Sequence, residues 1–330
     1  MVTGYAPAQA HGAFDLPEAS WLVASPKAGL VYVLGELETG LWGVYRAVRG
    51  PVNALWERVA TGETGGPFPC HAVLMGNLLL VAHYGNGSVT ALGLDAGGLP
   101  ERAITAIAPS VGAHAHALLP YDTAHLMVVD LGREVLELYR KNSHPQVPLL
   151  LEATLELGDS SRGIGPRHIA LHPKLPLAYV VTEYSNELLV VELSLFPPSL
   201  KLKFRVSLLP GGWSEPSFAG TVKVTPDGNF LLATNRGHDS VVSFSLAEGL
   251  PTSAVWTPSG GHWPRDATLS ANGDILAVAN QKSNNVAVFG RNLRTGALTP
   301  RDLYPVAGAS CVVFQGDNET PTLDCFDNTL

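Results

Sequence analysis

Cysteine is nearly absent from this chain: Cys70, Cys311 and Cys325 are the only three in 330 residues. Odd in number and without a CxxC pair, they argue against a disulfide framework or a thiolate metal centre, and read as reduced, mostly buried thiols. Charge is scarce as well. Asp, Glu, Lys and Arg make up 15% of the sequence, and 29 acidic against 21 basic residues give a formal net charge of −8. Nucleic acid and anionic membrane surfaces call for a basic surplus, so neither is expected as a partner. No apolar run approaches the ~18 residues that cross a bilayer. The opening MVTGYAPAQAHGAF lacks the basic start and apolar stretch of a signal peptide, so a cytoplasmic location is expected.

What is plentiful is turn chemistry and apolar strand material, with 34 Gly, 25 Pro and 46% hydrophobic residues. The two are arranged as a repeat. GPRHIALHPKLPLAYVVTEYSNELLVVEL, from Gly165 to Leu193, reads as three β-strands joined by tight turns. Related units begin at Pro69, Ala113, Gly220 and Pro264, a weaker one at Trp21 and a partial one near Ala309. His71, His116, His168, Thr221, Asp266 and Cys311 fall at matching positions 45 to 53 residues apart. That period indicates propeller blades. The expected fold is all-β: a seven-bladed β-propeller of four-stranded antiparallel blades. N-terminal strands complete the C-terminal blade and close the ring. A ring of repeats is one cooperative body, so residues 1–330 are expected to form a single domain.

Short turns force antiparallel pairing, so the start of each first strand and the end of each second strand emerge on the same face. That rule gathers His71, His114, His116, Arg167, His168, Arg265 and Asp266 with Glu36, His83, Asp130, Glu183, Asn235, Arg236, Asn280 and Gln281. A carboxylate among cationic and titratable groups has the makings of an active site. Each residue also has a structural alternative. Asn235, Asp239 and Asn280 could satisfy turn backbone, and Asp130 could be a turn acceptor. The arginines could form a buried ion-pair network between blades instead of holding a ligand anion. His172, on the opposite face, and His125, in a turn, read as structural. With Arg167, Arg236 and Arg265 on one face of an acidic chain, a positive pocket for an anionic ligand is expected. His71, His83, His114 and His116 lack the spacing of a metal site, and no metal or other cofactor is expected.

The motifs GPRHIALHP with AYVVTEYSN, LLATNRGHDSVVSF and WPRDATLSANGDILAVANQKSNNVAVF resemble the seven-bladed lactonase family of 6-phosphogluconolactonases and carboxymuconate lactonising enzymes. The resemblance runs from about Trp21 to Cys311. It implies a lactone hydrolase of the 6-phosphogluconolactonase type with a small anionic substrate, a phosphorylated or carboxylated lactone, in a monomer or weak homodimer. It also implies Glu183, His116, Arg167 and Arg265 as catalytic residues. Arg236, His168 and His238, with His71, Asn280 and Gln281 from the same face, are the expected substrate contacts. Thr182 stands where the family carries Asn. The chemistry is compatible: Glu183 with His116 could activate water, and Arg167 or Arg265, with a protonable His116, could hold the oxyanion. No GxSxG elbow is present. The alternatives are a carboxymuconate cycloisomerase and a propeller that binds a ligand or protein without turnover.

Overall fold

A computed structural model describes residues 14–25, 29–49, 54–142, 148–158, 163–315 and 322–325. Apart from a one-turn 3₁₀ helix at Gln281–Ser283, every regular element among them is a strand. Blade 1 comprises β1 (Ala19–Ala24), β2 (Leu30–Gly35), β3 (Leu41–Arg49) and β4 (Ala54–Glu63). Blade 2 comprises β5 (Pro69–Met75), β6 (Leu78–His83), β7 (Val89–Leu94) and β8 (Pro100–Ile107). Blade 3 follows with β9 (Ala115–Pro120), β10 (His125–Asp130), β11 (Val135–Lys141) and β12 (Leu149–Glu156). Blade 4 holds β13 (Pro166–Leu171), β14 (Leu177–Thr182), β15 (Glu187–Leu195) and β16 (Pro198–Ser207). Blade 5 holds β17 (Phe218–Val224), β18 (Phe230–Arg236), β19 (Ser240–Ala247) and β20 (Leu250–Pro258), and blade 6 holds β21 (Pro264–Leu269), β22 (Ile275–Asn280), β23 (Asn285–Arg291) and β24 (Leu298–Pro305).

Each blade is an antiparallel meander in chain order. Their first strands stand side by side around an axis, β1 against β5, β5 against β9 and so on to β21. The next strand, β25 (Val312–Gln315), packs against β21 on one side and β1 on the other, and among the described residues it pairs with β26 (Thr322–Cys325) alone. The described residues thus form six four-stranded blades and one two-stranded sheet, where seven complete blades were expected. The expectation that N-terminal strands complete the last blade falls on residues 1–13, outside the described residues.

The core lies between blades. β2, β14 and β22 are buried along their whole length, as Val, Leu and Ala runs covered on both faces must be. Between blades 3 and 4, for example, Met127, Val129 and Leu136 pack with Val180, Leu189 and Val191. The outermost strands alternate outward to solvent, as in β16.

One irregularity recurs in every complete blade. The first strand carries a β-bulge near its start, so that one extra residue is inserted opposite the second strand. The extra residues are Ser20, Cys70, His116, Arg167 and Arg265, with Gly220 and Thr221 sharing the place in blade 5. A bulge re-aims a side chain and is enriched beside active sites. It also corrects the alignment made from sequence. His116 is in register with Cys70, Arg167 and Arg265, and the counterpart of His71 and His168 in blade 3 is Ala117.

Candidate active site

Three sets of residues at equivalent blade positions gather where the first strands begin. The first, one residue past the bulge, contains Trp21, His71, His168 and Asp266; the bulge residues form the second. The third is the residue just past each second strand, whose amide is tied to the residue before its blade's first strand. Glu36 N donates to Glu18 O at 2.8 Å, Tyr84 N to Phe68 O at 2.9 Å, Glu183 N to Gly165 O at 2.6 Å and Gln281 N to Trp263 O at 3.0 Å. Arg236, paired with Phe218 across blade 5, holds the same place.

The centre of the cluster is a carboxylate held by two arginines. Arg167 Nε lies 3.0 Å from Glu183 Oε2, and Arg236 Nη2 lies 3.2 Å from Oε1. Both guanidiniums are buried, each 3% exposed, and both also donate to backbone. Arg167 Nη1 reaches Gly220 O at 2.6 Å, and Arg236 reaches Ala219 O at 2.7 Å and Phe218 O at 3.2 Å. Burial, then the charge of Arg167, pushes Arg236 down to about 9, and burial lowers Arg167 too, though Glu183 opposes it. Arg236 stays protonated at neutral pH.

Arg265 is placed differently. Its guanidinium is 24% exposed, and its charged partner is Glu36, with Nη2 to Oε2 at 3.6 Å. The expected positive pocket is therefore smaller than the sequence suggested. Two of its three arginines are committed to Glu183 and backbone, and only Arg265 offers open surface.

Three histidines meet beside Arg167. The rings of His71 and His116 lie 5.5 and 5.4 Å from that of His168, and Trp21 lies 4.1 Å from His71. Burial, with Lys223 and Arg167 adding repulsion, pushes His71 down to about 3. Burial, with Arg167 as the next cause, holds His116 and His168 well below their ordinary range. All three are neutral at physiological pH, so His116 brings no positive charge of its own to the cluster. Leu118 N donates to His71 Nδ1 at 3.4 Å, and His168 Nδ1 meets Thr221 Oγ1 at 3.0 Å. His116 Nδ1 is buried without a hydrogen-bond partner among the described residues. The Cys70 thiol is buried nearby, pushed up by burial and then by Glu36, and stays protonated. It is no nucleophile. Ser20, Trp21, Cys70, Arg167, His168, Arg265, Asp266 and Ser310 line a small cavity.

Glu183, His116, Arg167, Arg265, Arg236, His168 and His71 thus share one site. Gln281 has the rim register of Glu183. Asn280 does not point there: its amide donates to Ser259 O at 3.1 Å and Asn285 Oδ1 at 3.0 Å, tying a blade to its incoming connection. The same use holds for His83, Asp130 and Asn235, which bond Thr64, His114 N and Leu208 O. His238 is spent on Ser240 and the edge of Trp213, and His114 donates to Tyr84 O at 2.6 Å. Sequence reasoning missed Tyr84, whose ring stacks on His114 at 4.6 Å and meets His116 edge-on at 5.9 Å. Burial, then Tyr184, pushes its phenol up to about 12. The signal was present, because Tyr84 in AHYGN stands where Glu183 stands in VTEYSN. Among the described residues no group of three or more His, Cys, Asp or Glu is arranged to hold a metal ion.

A family model described as lactonase, 7-bladed beta-propeller, matches residues 6–314. The chain belongs to this lactonase family. Membership makes it an enzyme of the lactone-hydrolysing class. The 6-phosphogluconolactonase of Bacillus subtilis strain 168 is 30% identical over 250 residues, covering 71% of this chain and 69% of that protein. The 6-phosphogluconolactonase of Cronobacter sakazakii is 29% identical, over 70% of this chain and 68% of its own. Among solved structures, a periplasmic gluconolactonase of Pseudomonas aeruginosa superposes with a TM-score of 0.78 at 24% identity, over 93% of this chain and 88% of that one. A Lactobacillus plantarum protein superposes at 0.79 and 22% identity, over 89% and 86%. At these identities the structural likeness speaks for the fold alone.

Proposed function

We propose that this lactonase opens an anionic sugar lactone of the 6-phosphogluconolactone kind at the His116–Arg167–Glu183 cluster. The supporting observation is the neutral, buried His116 with an unpartnered Nδ1 beside guanidiniums that a carboxylate holds in place. Hydrolysis needs a proton acceptor for the attacking water and fixed positive charge where the carbonyl oxygen becomes negative. His116 accepts the water proton and returns it to the ring oxygen as the C–O bond breaks. Arg167 faces the developing oxyanion, and Glu183, with both oxygens engaged, fixes Arg167 and Arg236. Arg265 takes the substrate's anionic group, while His71 and His168 wall the site. The names of the relatives support this substrate class.

The same reading takes residues 1–330 as one domain, a seven-bladed ring in which β25 and β26 belong to the seventh blade. It places the enzyme in the cytoplasm as a monomer or weak homodimer. Among the described residues no helix is long and apolar enough to cross a membrane. The direct test is His116→Gln assayed on 6-phosphogluconolactone. Loss of a general base lowers kcat by about a hundredfold or more with KM little changed. Unchanged kcat would remove His116 from the chemistry.

A further inference from the structure

Glu36 and Glu183 hold the same position in their blades, one residue past the second strand, with amides tied to equivalent carbonyls of Glu18 and Gly165. Their surroundings differ. Glu183 is 19% exposed in its side chain and faces two buried guanidiniums at 3.0 and 3.2 Å. Glu36 is 26% exposed and faces one guanidinium, Arg265 of blade 6, at 3.6 Å. That distance is ion-pair range without a hydrogen bond. Arg265, the partner of Glu36, lines the cavity, as does buried Cys70, on which Glu36 acts more strongly than any other charged group. Of the other charged groups lining the cavity, Arg167 faces Glu183 at 3.0 Å and Asp266 faces Lys223 at 3.8 Å.

We infer that Glu36 is a specificity residue that competes with the substrate's anionic group for Arg265, a reading that rests on the proposed lactone substrate. An incoming phosphate or carboxylate must meet Arg265 beside a carboxylate of its own sign. Neutral lactones meet no such opposition, because they carry no anionic charge for Glu36 to repel. Glu36 therefore weakens the hold on anions, eases release of the more highly charged hydroxy-acid product, and lets the enzyme accept neutral lactones beside charged ones.

The test compares the wild type with Glu36→Gln and Glu36→Asp in the full chain, on 6-phosphogluconolactone and on uncharged glucono-δ-lactone. One carboxylate a few ångströms from the binding cation, partly screened by solvent, is worth about a fivefold change in anion affinity. The ratio of kcat/KM, phosphorylated over neutral, should rise about fivefold in Glu36→Gln. Added salt should shrink that rise, and Glu36→Asp, which keeps the charge, should stay near the wild type. An unchanged or lowered ratio overturns the inference. Calorimetric titration with inorganic phosphate decides it without turnover: tighter binding by Glu36→Gln supports it, and equal or weaker binding refutes it. A wild-type chain that opens neither lactone would refute the proposed function, and the phosphate titration would still decide the role of Glu36.

Discussion

His71, His116 and His168 are uncharged because charging them would place cations in a buried space already occupied by Arg167. Stability inherits that arrangement. An unfolded histidine begins to bind protons near its ordinary value of 6.5, whereas folded His71 resists down to about 3. Below pH 6.5 the unfolded chain therefore holds more protons, and folding stability falls as pH falls, by roughly 1.4 kcal/mol per pH unit for each such histidine once well below 6.5. Chemical denaturation at pH 6, 5 and 4 should show this decline, and His71→Gln should lessen it by about one histidine's share. An equal slope in the variant would show that His71 is protonated in the fold. Glu183→Gln should lose both turnover and stability, because two buried guanidiniums would lose their shared carboxylate; the cost is about 3 kcal/mol. A denaturant midpoint matching the wild type would contradict the clamp. At this scale the sequence was legible to within one residue. Neighbours such as Thr182 and Glu183, or Asn280 and Gln281, point in opposite directions along a strand. His83, Asp130, Asn235 and Asn280 stand at the alternation that serves the blade connections, and Glu36, Tyr84 and Glu183 at the one that serves the mouth. Residue type alone does not separate the two sets.

Bulges on the first strands decide which alternation faces the axis, and a bulge leaves no mark in composition or period. It adds one residue on one strand and shifts everything before it. That is why His116 matches His71 in sequence, while its register partners are Arg167 and Arg265. Gly220 shows how tightly one bulge is packed. A Cβ there would lie 2.3 Å from Thr234 Oγ1, 2.7 Å from Pro264 O and 3.0 Å from Arg265 O, and its carbonyl accepts from Arg167. Gly220→Ala must push blade 5 away from blade 6 and displace Arg167, an overpacking cost of about 1–3 kcal/mol. We expect a lower melting temperature and a kcat loss larger than the stability loss explains. Full activity in a folded Gly220→Ala protein would show that the bulge does not set the position of Arg167.

Across the whole molecule, the repeat was the most legible feature, because seven approximate copies of one apolar pattern leave few ways to bury their faces other than radial packing. The two-stranded β25–β26 sheet was less so, since the last unit offers too little strand pattern after Cys311 to fix its partners. The blade interfaces carry the fold. Leu189, fully buried between blades 3 and 4, should cost about 2–5 kcal/mol when cut to Ala, read as a shifted denaturant midpoint. The ring in turn serves to hold side chains from blades 1 to 6 at one mouth, and what that mouth does is decided most directly by assaying the purified wild type side by side on 6-phosphogluconolactone and on carboxymuconate. The account predicts rapid opening of the phosphorylated lactone, faster than its spontaneous hydrolysis by orders of magnitude, and no conversion of the muconate; cyclisation of carboxymuconate with the lactone left at its background rate would contradict it.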